Sequence, residues 1–125
     1  MTKAAAIHAF WNRFLTAFEE NNVPGGKDKP DFPYMTYQLV TGFFAGGPVE
    51  TTTTLWYRAD SNIALNAKVE EISEAIGEGG VNIACESGII WIKRSSPFAL
   101  PIRDDTDKQV KGRQLNIQTE FWTDK

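Results

Sequence analysis

The sequence has little of the chemistry on which small enzymes depend. Its 125 residues include one cysteine, Cys85, and one histidine, His8, and a single cysteine excludes a disulfide within the chain. Cys85 continues the apolar alternation of Val81 and Ile83 and is followed by Glu86, a neighbour that disfavours a thiolate. We therefore interpret Cys85 as a small buried apolar residue and His8 as a packing or surface residue of a helix.

Motifs for the common reactions are also absent. We find no Walker loop, dinucleotide fingerprint, paired-cysteine motif, His-Glu-x-x-His or nucleophile elbow. Glu70, Glu71 and Glu74 have no His or Asp at ligand spacing, so we interpret them as a solvated helix face. We expect no catalytic residue, no cofactor site and no metal site, and hence a protein that is not an enzyme.

Charge of one sign is not concentrated anywhere in the sequence. The 13 basic and 16 acidic residues give a net charge of −3 and are spread along the chain. We therefore expect that the protein does not bind DNA tightly. No apolar run approaches the roughly 20 residues needed to span a bilayer, and no signal-peptide pattern opens the chain. We therefore expect a reducing, cytoplasm-like compartment and no membrane partner.

Two segments have the apolar spacing of amphipathic helices. The first is residues 3–22, with Thr2 as the predicted N-cap. The second runs to about Ile76, with N-cap chemistry from Asp60, Ser61 and Asn62. Their apolar positions are Ile7, Phe10, Trp11, Phe14, Leu15 and Phe18 in the first, and Leu65, Val69, Ile72 and Ile76 in the second.

Alternating polarity and β-branched residues predict five strands. They cover residues 34–40, 51–58, 81–85, 89–94 and 113–122, and the third and fourth form a hairpin. A polar connector covers residues 23–33, and residues 95–112 are predicted to be a long irregular arm. Residues 42–48 interrupt the pattern with Phe43 and Phe44, whose rings either fold back onto the core or form an exposed apolar tip that docks on a partner.

The order α-β-β-α-β-β-β predicts a single α+β domain covering residues 1–125. We expect two helices packed on one face of a mainly antiparallel, roughly five-stranded sheet. The opposite face of that sheet is then polar, and its predicted residues are Thr36, Gln38, Thr52, Thr54, Asn116, Gln118 and Glu120.

Four short patterns in this order resemble the tail terminator (tail completion) proteins of long-tailed bacteriophages. The first strand opens with Phe32-Pro33-Tyr34-Met35-Thr36-Tyr37, and a Thr-rich strand ends in Leu55-Trp56-Tyr57-Arg58. The second helix carries Val69, Ile72 and Ile76, and the last strand ends in Phe121-Trp122. The segment 42–48, with its pair of phenylalanines, has no counterpart in the resemblance.

The resemblance implies a virion protein that forms a ring, usually a hexamer, on the head-proximal end of the tail tube. Such a ring ends tube polymerisation and docks the head-side connector, without a cofactor or a reaction. The implied partners are further copies of the chain, the tail tube protein and the connector, while DNA only passes through. The implied location is the tail or neck of the virion, and the host cytoplasm during assembly.

We predict the contact residues from apolar side chains in the two irregular segments, because so small a core leaves them without cover. A ring also needs two different complementary patches on each subunit. The predicted contact residues are Phe43, Phe44, Phe98, Leu100, Ile102 and Arg103.

Three alternatives remain open at this point. Another head-tail connector or minor tail component would have similar sequence features. A small-molecule-binding or hydrolytic α+β domain would place a pocket near Trp11, Trp56 and Trp91. A host-directed accessory protein would bind one cellular partner.

Overall fold

A computed structural model describes residues 1–104 and 106–125. Two helices and six strands follow one another along the chain and build one six-stranded sheet, with strand order β1-β2-β3-β6-β5-β4. Strands β1 and β2 are parallel, and every other neighbouring pair is antiparallel. The elements are α1 (Lys3–Trp11), β1 (Ala17–Glu19), β2 (Tyr34–Tyr37), β3 (Val49–Arg58), α2 (Ile63–Ile76), β4 (Val81–Cys85), β5 (Gly88–Arg103) and β6 (Val110–Thr123).

The predicted α+β class with two helices is confirmed, and the strand count and direction are corrected. The sheet has six strands rather than about five, and it is mixed because β1 joins β2 in parallel. Helix α1 contacts both β1 and β4, which are the two edge strands, and the sheet therefore curls around this helix.

One hydrophobic core lies between the helices and the concave face of the sheet. Both helices contribute side chains to it, and alternate positions of the strands supply the rest, because successive side chains of a strand point to opposite faces. The fully buried members include Met35 and Leu55, Ile90 and Leu115 on strands, and Leu65, Ile72 and Ile76 on α2.

The first helix is shorter than predicted. It ends at Trp11, and Asn12 redirects the chain because its Oδ1 accepts a hydrogen bond of 3.0 Å from the backbone N–H of Ala17. Ala17 then begins β1, and Phe18 packs edge-on against Tyr34 at 6.2 Å between ring centroids. Of the predicted apolar positions after Trp11, Phe14 and Leu15 therefore lie in a turn packed partly against the core and Phe18 lies in β1, which a helical periodicity does not reveal.

The N-cap of α1 is confirmed and gives a stability prediction. The Thr2 hydroxyl accepts a hydrogen bond of 3.1 Å from the N–H of Ala5. We expect Thr2→Ala to lower the free energy of unfolding by about 1 kcal/mol, measured by urea denaturation. Asn62 is the matched control because it precedes α2 without a side-chain cap bond, so Asn62→Ala should leave the urea midpoint nearly unchanged. Equal losses in both variants would contradict this assignment.

The predicted irregular arm at residues 95–112 is wrong. Strand β5 extends to Arg103, and β6 begins at Val110, with one register shift between Arg94 and Ala99. Pro97 falls within this shift. Strand β4 pairs only with the first five residues of β5, so the missing N–H of Pro101 faces an edge that has no partner strand.

The remaining boundaries differ in length. The first predicted strand, at residues 34–40, ends at Tyr37, and the Thr-rich strand begins earlier than predicted, at Val49. The last strand covers Val110–Thr123 instead of residues 113–122. The hairpin β4–β5 lies where the sequence predicts it, with Cys85 opposite Gly88.

Candidate protein-interaction surfaces

Three aromatic side chains at one end of the sheet remain exposed, and we call Phe43, Phe44 and Trp122 the aromatic tip. Their exposed fractions are 62%, 56% and 51%. The Phe44 and Trp122 rings lie 5.5 Å apart at a tilt of 57°, so the three side chains form one surface. The sequence left two interpretations of Phe43 and Phe44, rings folded back onto the core or an exposed tip, and in the structure both rings are exposed. Trp122 is a member that sequence reasoning missed.

The base of the tip is fixed although its rings are exposed. Lys3 Nζ donates a 2.8 Å hydrogen bond to the carbonyl of Gly42. A Cβ on Gly42 would lie 2.9 Å from the Phe121 ring, so only glycine allows this close approach. The Gly46 N–H donates to the Phe43 carbonyl at 3.0 Å and closes the turn. The aromatic tip is therefore held by α1 and β6.

The exposed apolar surface continues from the tip across two strands. Trp122 lies opposite Ile89, and Ile89 lies opposite Ala84, so the three share the outer face. Ile89 is 45% exposed, and Ala84 is exposed as well. A groove of about 190 Å³ lies beside the tip, lined in part by Phe43, Phe44 and Trp122.

The other predicted contact residues lie elsewhere. Phe98 packs partly against the core, Ile102 is half-buried, and Leu100 and Arg103 are exposed. Leu100 and Ile102 pair with the beginning of β6, whereas the aromatic tip lies at the end of that strand. The predicted set is therefore split into two places. Because residues 97–103 belong largely to a paired strand, deleting them would damage the fold instead of testing a contact.

The middle of the outer sheet face is polar, as predicted. Glu50 accepts hydrogen bonds from Gln118 at 3.0 Å and from Ser95 at 2.6 Å. Lys93 forms a 2.6 Å ion pair with Glu120 and lies 4.1 Å above the Trp91 ring. Several polar groups of this face therefore have partners on other strands of the sheet.

The three tryptophans proposed for a ligand pocket do not converge. Trp11 is buried in the core at 3% exposure. On the outer face, Trp56 donates to the Thr36 hydroxyl at 3.2 Å and Trp91 donates to the Gly79 carbonyl at 2.9 Å. The cavity between α1 and the sheet is about 10 Å³, which is no more than one water molecule occupies.

The lone histidine and the lone cysteine both lie at the edge of the core. His8 Nδ1 is 3.0 Å from the Tyr37 hydroxyl. Burial, and to a lesser extent the charge of Glu19, raise the pKa of Tyr37. Cys85 is half-buried, with its Sγ 3.6 Å from the Ser87 hydroxyl. Cys85 is therefore less buried than the sequence predicts.

A groove of about 390 Å³ at the far end of the β5–β6 hairpin carries four cationic side chains, and we call it the basic groove. They are Arg103, Lys108, Lys111 and Arg113, with Asp104 as the one acidic lining residue that the structure describes there. Arg103 lies directly opposite Lys111 in the register of the two strands, an arrangement that costs stability. The sequence signal was four cations within eleven residues, but the same stretch also contains Asp104, Asp105 and Asp107, so no basic patch stands out in the linear sequence.

The turn between β5 and β6 is held by carboxylates. Asp104 Oδ1 accepts hydrogen bonds from the Thr106 hydroxyl at 2.7 Å, the Thr106 N–H at 2.8 Å and the Asp107 N–H at 3.3 Å. These bonds lower the pKa of Asp104 from its ordinary 3.8. Asp107 in turn forms a 3.1 Å ion pair with Arg58 and so ties the turn to β3.

The lowered pKa of Asp104 predicts a pH-dependent contribution to stability. The folded carboxylate binds its proton more weakly than the unfolded one, so its contribution is present above pH 3.8 and is lost as the pH falls through the folded pKa. We expect Asp104→Asn to lower the urea midpoint at neutral pH. The difference from the original chain should shrink below about pH 4, and a constant difference across this range would contradict the assignment.

No protein-family model matches the chain, and no curated protein shows significant similarity to it. Within residues 1–104 and 106–125, neither helix combines the length and the apolar character that crossing a bilayer requires. In the same part of the chain, no group of three His, Cys, Asp or Glu side chains is arranged to hold a metal ion. The resemblance to tail terminators therefore remains a resemblance of short sequence patterns.

Proposed function

We propose that the chain is a virion assembly protein that forms a ring on the head-proximal end of a phage tail tube. There it ends tube polymerisation and docks the head connector. The observation that carries the proposal is the aromatic tip, whose three side chains are each more than half exposed. Phe43 and Phe44 lie on a loop whose base is fixed by the hydrogen bond from Lys3 to Gly42, and Trp122 lies near the end of β6.

The exposed rings support a contact with another polypeptide on energetic grounds. Burying a large apolar side chain stabilises a complex by roughly 1.5–3 kcal/mol, and aromatic residues in the centre of an interface often dominate its affinity. Trp122, Ile89 and Ala84 extend the same surface across the sheet. A tip held in place before association also loses little conformational entropy on binding.

The polar outer face of the sheet supports a position of this face beside a water-filled channel. Several of its amides, hydroxyls and carboxylates are bonded to one another, as Glu50, Gln118 and Ser95 are. Such a face attracts phosphates weakly, and the chain as a whole is acidic, with a net charge of −3. DNA can pass such a surface without being retained.

Electron microscopy of tails assembled without the protein tests this proposal. We expect overlong tail tubes, because no ring stops polymerisation, and restoring the protein from a plasmid should return the normal length. Tubes of normal length that lack heads would instead identify a connector. Normal, infectious virions made without the protein would overturn the proposal.

A further inference from the structure

Each subunit carries two oppositely charged patches in different places. The basic groove defined above lies at the far end of the β5–β6 hairpin, beside Asn62 and the start of α2. The exposed side of α2 carries Glu70 and Glu74 nearer its other end. Because 1.5 Å separates successive helical residues, Glu74 lies about 12 Å along the axis from Asn66, which accepts a hydrogen bond from Arg113.

Both patches are unfavourable in an isolated subunit. Arg103 and Lys111 face each other across paired strands, and like charges in that position repel. Glu70 and Glu74 are one helical turn apart and repel each other in the same way. Glu74 also lies in the last turn of α2, which has no basic residue and where the helix dipole disfavours negative charge.

Within residues 1–104 and 106–125, no member of either patch forms an ion pair. In the part of the chain that the structure describes, the four ion pairs are Met1–Glu86, Arg58–Asp107, Lys68–Glu71 and Lys93–Glu120. None of them involves Arg103, Lys111, Glu70 or Glu74. Along the helix axis from Asn66, Glu74 lies about 12 Å away and Glu70 about 6 Å away. Only Glu74 therefore lies beyond the distance of about 8 Å over which physiological salt screens exposed charges.

We propose that the basic groove binds the acidic side of α2, at Glu70 and Glu74, in a second copy of the chain. The two surfaces are complementary in charge, and each relieves the repulsion within the other. The groove of one copy and the helix side of the next are different surfaces, and repeating this contact head to tail gives a ring when the rotation between successive copies closes. The inference rests on the proposed function for the ring and adds its lateral contact, which leaves the aromatic tip for the tube or the connector.

Two charge-reversal variants test the contact. One is Arg103→Glu with Lys111→Glu, and the other is Glu70→Lys with Glu74→Lys. All four positions are exposed or half-exposed, so the variants should fold, which thermal unfolding by circular dichroism checks. By analytical ultracentrifugation at low salt, we expect the original chain to self-associate. Each variant alone should show a dissociation constant at least about tenfold higher.

Mixing the two variants provides the decisive result. In an equimolar mixture every groove meets a helix side of opposite charge, so alternating rings should form and association should be restored. Combining all four substitutions in one chain should restore self-association as well. The matched control is Lys27→Glu with Lys29→Glu, which makes the same charge change in an exposed connector and should leave association intact.

Several outcomes would overturn the inference. They are an original chain that stays monomeric at low salt, single variants that associate normally, and mixtures that remain monomeric. Binding of a 20-base-pair DNA duplex that depends on Arg103 and Lys111, with self-association unchanged by their reversal, would assign the groove to a nucleic acid instead. Tail length in infected cells is measured separately from self-association. If rings form in a charge-dependent way but tails made without the protein have normal length, the proposed function is overturned and the contact between copies is not.

Discussion

Replacing Phe43 and Phe44 together with serine is expected to abolish tail completion while leaving the subunit folded. Both side chains are more than half exposed, so their loss should change the free energy of unfolding by no more than about 0.5 kcal/mol. In an interface, each aromatic anchor contributes about 2 kcal/mol. Losing both should therefore weaken the contact about 1,000-fold, since each 1.4 kcal/mol is a factor of ten.

Tail length measured by electron microscopy, together with the titre of infectious particles, checks this prediction. The matched control is Phe43→Leu with Phe44→Leu, which retains apolar side chains and should preserve most of the activity. If the serine variant melts at the original temperature and still completes tails, the aromatic tip is not a contact surface. A serine variant that unfolds would show instead that the rings stabilise the subunit.

The second large effect is expected on substitution of Gly88, which is the first residue of β5 after the β4–β5 turn. Gly88 has a φ of +147°, and a Cβ there would lie 2.2 Å from the carbonyl oxygen of Trp122. That oxygen belongs to the paired strand β6, which cannot move without losing its register with β5. We expect Gly88→Ala to lower the free energy of unfolding by about 3 kcal/mol or more.

Thermal unfolding measures this effect, with a fall in melting temperature of about 10 °C expected for a domain of this size. Gly79 provides the control, because no atom lies within 4 Å of a Cβ placed there. We expect Gly79→Ala to change the melting temperature by less than about 2 °C. Similar losses at both positions would show that the close approach at Gly88 does not limit stability.

Much of the fold could be predicted from local patterns. The four-three-four spacing of Leu65, Val69, Ile72 and Ile76 predicts α2, whose end at Ile76 is confirmed. The alternation of Leu115, Ile117 and Phe121 with polar residues predicts the buried side of β6, where all three are nearly inaccessible. These segments are long and have one dominant period, so local and tertiary preferences agree.

Tertiary pairing decided the places where sequence reasoning failed. The helical spacing of Phe14, Leu15 and Phe18 continues beyond Trp11, yet the Asn12 side chain and the pairing of β1 with β2 end the helix. Pro97 and Pro101 indicate irregular structure in a linear sequence. In the sheet, one falls in a register shift and the other on an uncovered edge, so β5 continues through both.

The candidate surfaces, like the fold, could be predicted from the sequence only in part. Two adjacent phenylalanines between glycines fitted either rings folded onto the core or an exposed tip, and only the structure shows that both are exposed. Alternation along β6 places Trp122 on the outer face, but its position beside Ile89 and Phe44 is set by strand register and loop packing, which the sequence pattern does not show. The basic groove was missed because net charge averages over the chain, whereas strand pairing brings Arg103 opposite Lys111. Sequence spacing alone does not specify that cross-strand contact.

The most direct test of the central claim is to image growing tail tubes to which the purified, labelled chain has been added. We expect label at one end of each tube, in a closed ring of several copies, and no further elongation from that end. Label along the sides of the tubes, or elongation that continues unchanged with the chain in excess, would contradict the account.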